Sequence, residues 1–217
     1  MRYQAVIFDL DGTLIDSLTD LAEAGNRVLA EMKMDVHPLA AYRIFVGDGL
    51  ETLIQRILPK ESRTESTIAE AIQRFRIDYG NNWHINTTLY PGIPDLLNQL
   101  TDAGLSMSIL SNKPHVFTGL CVEHFLSNWH FEQILGHRPE VPKKPDGSGA
   151  VEIAKTLQLS PSQILFIGDS AVDMQTAANA GMDGAGVLWG FRGADELRQN
   201  GATYLASTPS ELGQILL

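Results

Sequence analysis

The residues able to do chemistry in this chain collect in four short clusters. They are Asp9-Leu10-Asp11-Gly12-Thr13, Ser111-Asn112-Lys113, Lys143-Lys144-Pro145 and Gly168-Asp169-Ser170-Ala171-Val172-Asp173. Carboxylates dominate, with a hydroxyl, an amide and ammonium groups beside them. Brought together in a low-dielectric site, Asp9, Asp11 and Asp169 would repel one another strongly. A hard cation with oxygen ligands relieves that conflict, and Mg²⁺ is the usual choice beside phosphate. His115, His124, His130 and His137 lack mutual ligand spacing, which argues against zinc. The clusters therefore predict a site made of a metal, carboxylates and one lysine, suited to an anionic substrate.

Singly, each cluster has a plainer meaning. Asp-x-Asp-Gly after a strand often only makes a turn. Ser-Asn-Lys-Pro reads as a cap and first helical turn, a lysine pair as solvated charge, and Asp173 as a first-turn partner of a helix dipole. Their ordered coincidence is what argues for a site.

The elements that must position the clusters are visible as apolar runs. Residues 5–8, 105–110 and 164–167 are such runs, and each stops at a polar cluster. Weaker runs lie at 184–189 and 131–135. Helix-like stretches cover 94–103, 114–125, 148–158 and 171–180. Strands alternating with helices predict a parallel sheet with right-handed crossovers, and unbroken apolar runs fit strands buried on both faces. Ligands in such sheets bind beyond the carboxyl ends of the strands. Nearly a hundred residues separate the first two clear strands, and from about Ser17 to Ile85 the pattern is helical throughout. The fold class is thus α/β, a Rossmann-like parallel sheet with helices on both faces, plus an inserted small helical cap. Residues 1–16 and 87–217 form the core, and residues 17–86 the cap.

Composition bounds the partners. With 217 residues, 44% hydrophobic and 19% charged, the chain is an ordinary globule able to bury a sizeable core. A net charge of −10 argues against a broad nucleic-acid or anionic-membrane surface while leaving room for a local phosphate site. One cysteine, Cys121, excludes a disulfide within the chain and fits a reducing compartment. The opening apolar run is too short for a signal peptide, and no stretch is long enough to span a bilayer. A cytoplasmic location is expected.

The four clusters, in this order and over nearly the whole chain, resemble the haloacid dehalogenase (HAD) superfamily. Its signatures are Asp-x-Asp-Gly-Thr, a strand-end Ser or Thr, a Lys before Pro, and Gly-Asp-x-x-x-Asp. The resemblance implies a two-step phosphoryl transfer on a small phosphorylated metabolite, with Mg²⁺ as cofactor. Asp9 would be the nucleophile and form an aspartyl-phosphate. Asp11 would be the general acid and then the base, its carbonyl ligating the metal beside the carboxylates of Asp9 and Asp169. Asp173 would hold the metal or its waters. Ser111 and Asn112 would bind the phosphoryl oxygens, and Lys144 would neutralise charge that Mg²⁺ leaves uncancelled.

Within that superfamily, the segment from Tyr42 to Leu50 is similar to the helix–Gly-x-Gly–helix of the phosphoglycolate phosphatase branch. Gly47 and Gly49 would let backbone approach a small ligand. Arg43 or Arg56 would offer a fork to a substrate carboxylate, whereas Asp48 would repel one if it faced the site. A β-phosphoglucomutase-like mutase or a pyrophosphatase would share the catalytic residues. A non-catalytic phosphometabolite-binding protein is the contrasting class, although a binder has no need of a nucleophile. Neither nucleic acid nor membrane is an expected partner, and the chain is expected to be a monomer or homodimer.

Overall fold

Apolar runs become strands where both faces of the backbone can be covered. In the computed structural model, which describes residues 2–217, the strands are β1 (Ala5–Phe8), β2 (Ile15–Asp16), β3 (Thr88–Leu89), β4 (Ser106–Pro114), β5 (Gln133–His137), β6 (Ile164–Gly168), β7 (Asp183–Val187) and β8 (Tyr204–Ala206). Six of them form one sheet in the order β5-β4-β1-β6-β7-β8, with parallel pairing throughout. Successive side chains of β1 point to opposite faces. Ala5 and Ile7 pack into one apolar cluster with Ile153, Ala154 and Phe166. Val6 and Phe8 enter a larger one with Leu97, Ile109 and Leu165. Burial on both faces is why these runs show no alternation of apolar and polar residues.

The helices are α1 (Leu18–Glu31), α2 (Leu39–Phe45), α3 (Leu50–Ile57), α4 (Glu65–Asn82), α5 (Ile93–Asp102), α6 (His115–Phe125), α7 (Ser148–Leu157), α8 (Ala171–Asn179), α9 (Ala194–Gln199) and α10 (Pro209–Leu216). The chain leaves β1 for β4 on one side and later returns to β6 on the other. The strand order therefore reverses at β1, whose carboxyl end opens into a crevice.

Helices α1 to α4 lie between β2 and β3, which pair antiparallel, Ile15 with Leu89 and Asp16 with Thr88. This short ribbon is where the chain leaves the sheet region and returns. The four helices share buried Val28, Leu29, Tyr42, Ile54, Ile57 and Phe75. Cys121 is buried, as an apolar helical setting implies, and burial pushes its thiol up to about 11.

Three differences from the sequence reading have physical causes. The run at 105–110 extends as a strand through Ser111-Asn112-Lys113 to Pro114, because Pro114 pairs with His137 across a register shift. β8 is a three-residue edge strand, Tyr204-Leu205-Ala206, too short for its apolar residues to stand out as a run. The ribbon of β2 and β3 has only two residues per strand, below what periodicity reveals.

Asp20 of α1 fastens this junction. Its carboxylate accepts from the backbone N–H and side-chain amide of Asn86, and from the N–H (2.8 Å) and hydroxyl (2.6 Å) of Thr87. Burial opposes ionisation, but these donors outweigh it and hold the Asp20 carboxyl below the usual carboxylate range. Asp20→Ala strands buried donors and should cost about 3 kcal/mol in urea unfolding. The native contribution is complete above the unfolded pKa of about 3.9 and is lost as pH falls through the lower folded value. An Asp20→Ala protein as stable as the native one at pH 7 would refute this role.

Candidate active site

Two strand ends, the start of a helix and a loop deliver the site. Asp9 directly follows β1, and its N–H still donates to the Ile167 carbonyl at 2.8 Å, so the sheet fixes its backbone. Asp169 directly follows β6, and Asp173 lies in the first turn of α8. Oxygens of Asp9, Asp169 and Asp173 lie within 4.8 Å of one another, all three residues buried. Lys144 enters from the loop before α7. Its ammonium sits 2.8 Å from Asp9 Oδ1 and 2.6 Å from Asp173 Oδ1, and the Lys144–Pro145 peptide is cis. The second Asp173 oxygen accepts from the Ser170 N–H and hydroxyl, a capping box that locks the carboxylate over the start of its own helix.

Three buried carboxylates around one ammonium leave excess negative charge. Burial pushes the Asp9 carboxyl up to about 7; the Lys144 ammonium opposes this, and the Asp173 charge adds to it. Burial, with the charges of Asp173 and Asp9, lifts Asp169 well above the usual range despite a 2.6 Å hydrogen bond from the Phe191 N–H. Burial works against the Lys144 ammonium, but Asp173 and Asp9 together raise its pKa. An all-oxygen donor set with uncompensated charge fits a hard divalent cation. The backbone around Asp169 is also close-fitting. Gly12 has φ +86°, and a Cβ there or at Gly190 would overlap the Asp169 carboxylate.

Asp9, Asp169 and Asp173 come together as expected of carboxylates at a metal, whereas the Asp11 side chain, expected to converge with Asp9 and Asp169, has other partners. Asp11 accepts from the Ser17 hydroxyl at 2.5 Å and from the Lys113 ammonium at 3.0 and 3.3 Å. Lys113 in turn donates to the Tyr79 hydroxyl at 2.7 Å. A cleft of about 560 Å³, open mouth included, lies over Asp9, Asp11, Ser111 and Asn112. Leu21, Val46, Leu50, Leu53, Phe75 and Phe117 give it a largely apolar wall.

Ser111 faces this cleft, its oxygen accepting from the Lys113 N–H at 3.2 Å. The Asn112 side chain is engaged elsewhere. Its oxygen accepts from the Lys144 N–H, while its amide donates to the carbonyls of Lys144 and Gly47. It braces Lys144 and ties the loop between α2 and α3 to the sheet. Gly47 and Gly49 line the cleft, with φ of +120° and +87°. A Cβ at Gly49 would lie 3.3 Å from the Asn112 carbonyl, so the close approach there is to β4.

The structure does not bring the expected arginine fork to the cleft. Arg43 reaches the Gly190 carbonyl at 3.5 Å. Arg56 pairs with Asp48 at 2.5 Å and donates to the carbonyls of Ile44 and Phe45, so Asp48 is neutralised by its own loop. Sequence reasoning gave Lys113 no role of its own and missed Tyr79, together with the Phe191 N–H that holds Asp169. Lys113 was masked because Ser-Asn-Lys-Pro reads as a helix start. The burial of a lysine at a strand end carries no periodic signal.

A parallel sheet with carboxylates and a buried lysine gathered where its strand order reverses defines an α/β enzyme that works on an anionic group. Comparison with known proteins gives the family. The sequence pattern described as "Haloacid dehalogenase-like hydrolase" matches residues 6–187. A phosphoglycolate phosphatase of Psychrobacter arcticus is 33% identical, over 100% of this chain and 97% of its own length. One from Pseudomonas putida is 35% identical, over 86% of this chain and 70% of its own. The crystal structure of a protein described as a predicted phosphoglycolate phosphatase, from Haemophilus somnus, superposes with a TM-score of 0.93 at 26% identity, covering 100% of this chain and 99% of that one. The chain belongs to the haloacid dehalogenase-like hydrolases.

Proposed function

We propose that this hydrolase is a Mg²⁺-dependent phosphatase of a small phosphomonoester, phosphoglycolate or a close chemical relative. The observation that carries the reading is the Asp9 carboxylate, held at the end of the central strand 2.8 Å from Lys144 and facing the cleft. An Asp9 oxygen would bond to phosphorus as the bond to the leaving oxygen breaks. Asp11 would give that oxygen its proton. Asp11 would next take a proton from water, whose oxygen attacks phosphorus and breaks the acyl phosphate, releasing inorganic phosphate and restoring Asp9. Ser111 and the backbone N–H groups near Leu10 and Asn112 would hold the phosphoryl oxygens, and Lys144 would balance their charge.

Asp9, Asp169, the Asp11 carbonyl and Asp173, directly or through water, would hold Mg²⁺. The ion would offset the carboxylate repulsion and the charge on the phosphoryl group. Residues 1–16 and 87–217 would act as the catalytic core, and residues 17–86 as a cap that excludes water. A sugar phosphomutase must seat a hydroxyl-rich ring and a second phosphate, for which an apolar wall is a poor match. Among the described residues, no helix is long and apolar enough to cross a membrane. The reading takes a soluble metabolite in the cytoplasm as substrate.

The metal assignment predicts a pH signature. Asp9 at about 7 and Asp169 well above its usual range keep protons in the folded state that the unfolded chain releases near pH 4. In EDTA, their contribution makes stability fall as pH rises from about 4 towards 7. Mg²⁺ should raise the melting temperature most at the upper end of that window and flatten the slope. A melting temperature at pH 7 that is unchanged by Mg²⁺ would contradict the assignment.

A further inference from the structure

Lys113 and Tyr79 have no part in the reaction as proposed, yet they stand on the wall of its cleft. Lys113 is 7% exposed, and its ammonium also lies 4.8 Å from the centre of the Tyr79 ring. Among the described residues it is the only cation lining the cleft. Tyr79 comes from α4, its ring stacked on Phe75 and meeting Phe117 edge-on. Its oxygen accepts from Lys113, and its own O–H has no protein acceptor among the described residues. The pair thus presents a shared ammonium and a free hydroxyl donor within an apolar wall. Hydrogen bonds to a charged group are strong in such a setting.

We propose that Lys113 and Tyr79 form a carboxylate subsite, so that the enzyme selects phosphomonoesters whose leaving alcohol carries a carboxylate on its first carbon. This rests on the phosphatase reading above, in which Asp11 meets the leaving oxygen. The Lys113 ammonium is 3.0 Å from Asp11 Oδ1. In a glycolate ester the carboxylate oxygens lie roughly 3 Å from the leaving oxygen by bond lengths. A group seated against Asp11 therefore brings its carboxylate to Lys113. There it competes with Asp11 for the ammonium, releasing Asp11 for proton transfer once the right substrate is bound. An alcohol without the carboxylate would leave Asp11 paired and give the Tyr79 hydroxyl nothing to donate to.

The test compares 2-phosphoglycolate with ethyl phosphate, which has the same two-carbon skeleton without the charge. Phosphate release is measured for both in the native chain, Lys113→Met and Tyr79→Phe. The native enzyme should favour 2-phosphoglycolate in kcat/KM by about 10- to 100-fold. Each variant should shrink that ratio severalfold or more, mainly through a higher KM for 2-phosphoglycolate. If the variants lower both esters equally, the pair only braces Asp11 and the subsite is refuted. Should Lys113→Met fail to fold, Tyr79→Phe keeps its ring and still decides, as does the native comparison. Equal use of both esters by the native chain removes the subsite and leaves the phosphatase standing. Release from neither ester removes both.

Discussion

Asp9→Asn should lower turnover by about four orders of magnitude or more, with the fold intact. Asparagine has the same shape but cannot form the acyl phosphate, so on the proposed mechanism loss of the nucleophile is the main change. The effect on stability should run the other way. Native Asp9 is buried beside Asp169 and Asp173, and burial together with the Asp173 charge pushes its carboxyl up to about 7 against the pull of Lys144. Removing one of three crowded carboxylates relieves repulsion, so in EDTA the variant should melt at or above the native temperature. Loss of stability at a site kept for activity is a recurrent trade-off. Phosphate release and a thermal melt on one preparation check both halves. Substantial turnover in Asp9→Asn would sink the mechanism.

Lys144→Met is expected to fail on both counts. Among the described residues, the Lys144 ammonium is the sole cation bonded to Asp9 and to Asp173. Methionine fills the space but leaves buried carboxylates unpaired, which costs about 3–5 kcal/mol when one partner of a buried pair is removed. Turnover should fall by at least about a hundredfold as well, since the phosphoryl oxygens lose a charge partner. The variant's instability should ease as pH falls, because the carboxylates can then take up protons that the unfolded chain does not hold. Urea titrations at pH 5 and pH 7.5 check this. A Lys144→Met protein as stable as the native one at pH 7.5 would show that the ion pairs are not what balances the site.

Much of this arrangement was legible in the sequence, for reasons that also explain what was not. β1, the start of β4 and β6 are buried on both faces, so their composition alone marks them, and each stops at its cluster. Asp173 could be placed because four residues after Asp169 is within the first turn of a helix that follows a strand. The Lys143-Lys144 pair stands out as a polar cluster before a helix, but only the superfamily pattern picks Lys144 and gives it a role, since a lysine in a loop has no periodicity to betray it. Long-range pairing stayed hidden. Asn112 reaches the backbone of Lys144 and Gly47, and Asp20 reaches Asn86 and Thr87, across separations that no local pattern encodes. Arg43 and Arg56 were candidate carboxylate ligands by residue type. The structure turns them to the Gly190 carbonyl and to Asp48, and sets a lysine on the cleft wall instead.

The most direct test of the account is phosphate release from 2-phosphoglycolate with Mg²⁺, run beside pyrophosphate and hexose phosphates with an EDTA control. Rapid release from 2-phosphoglycolate that EDTA abolishes, with little from the others, is the predicted result. No release from any phosphomonoester in the presence of Mg²⁺ would contradict it.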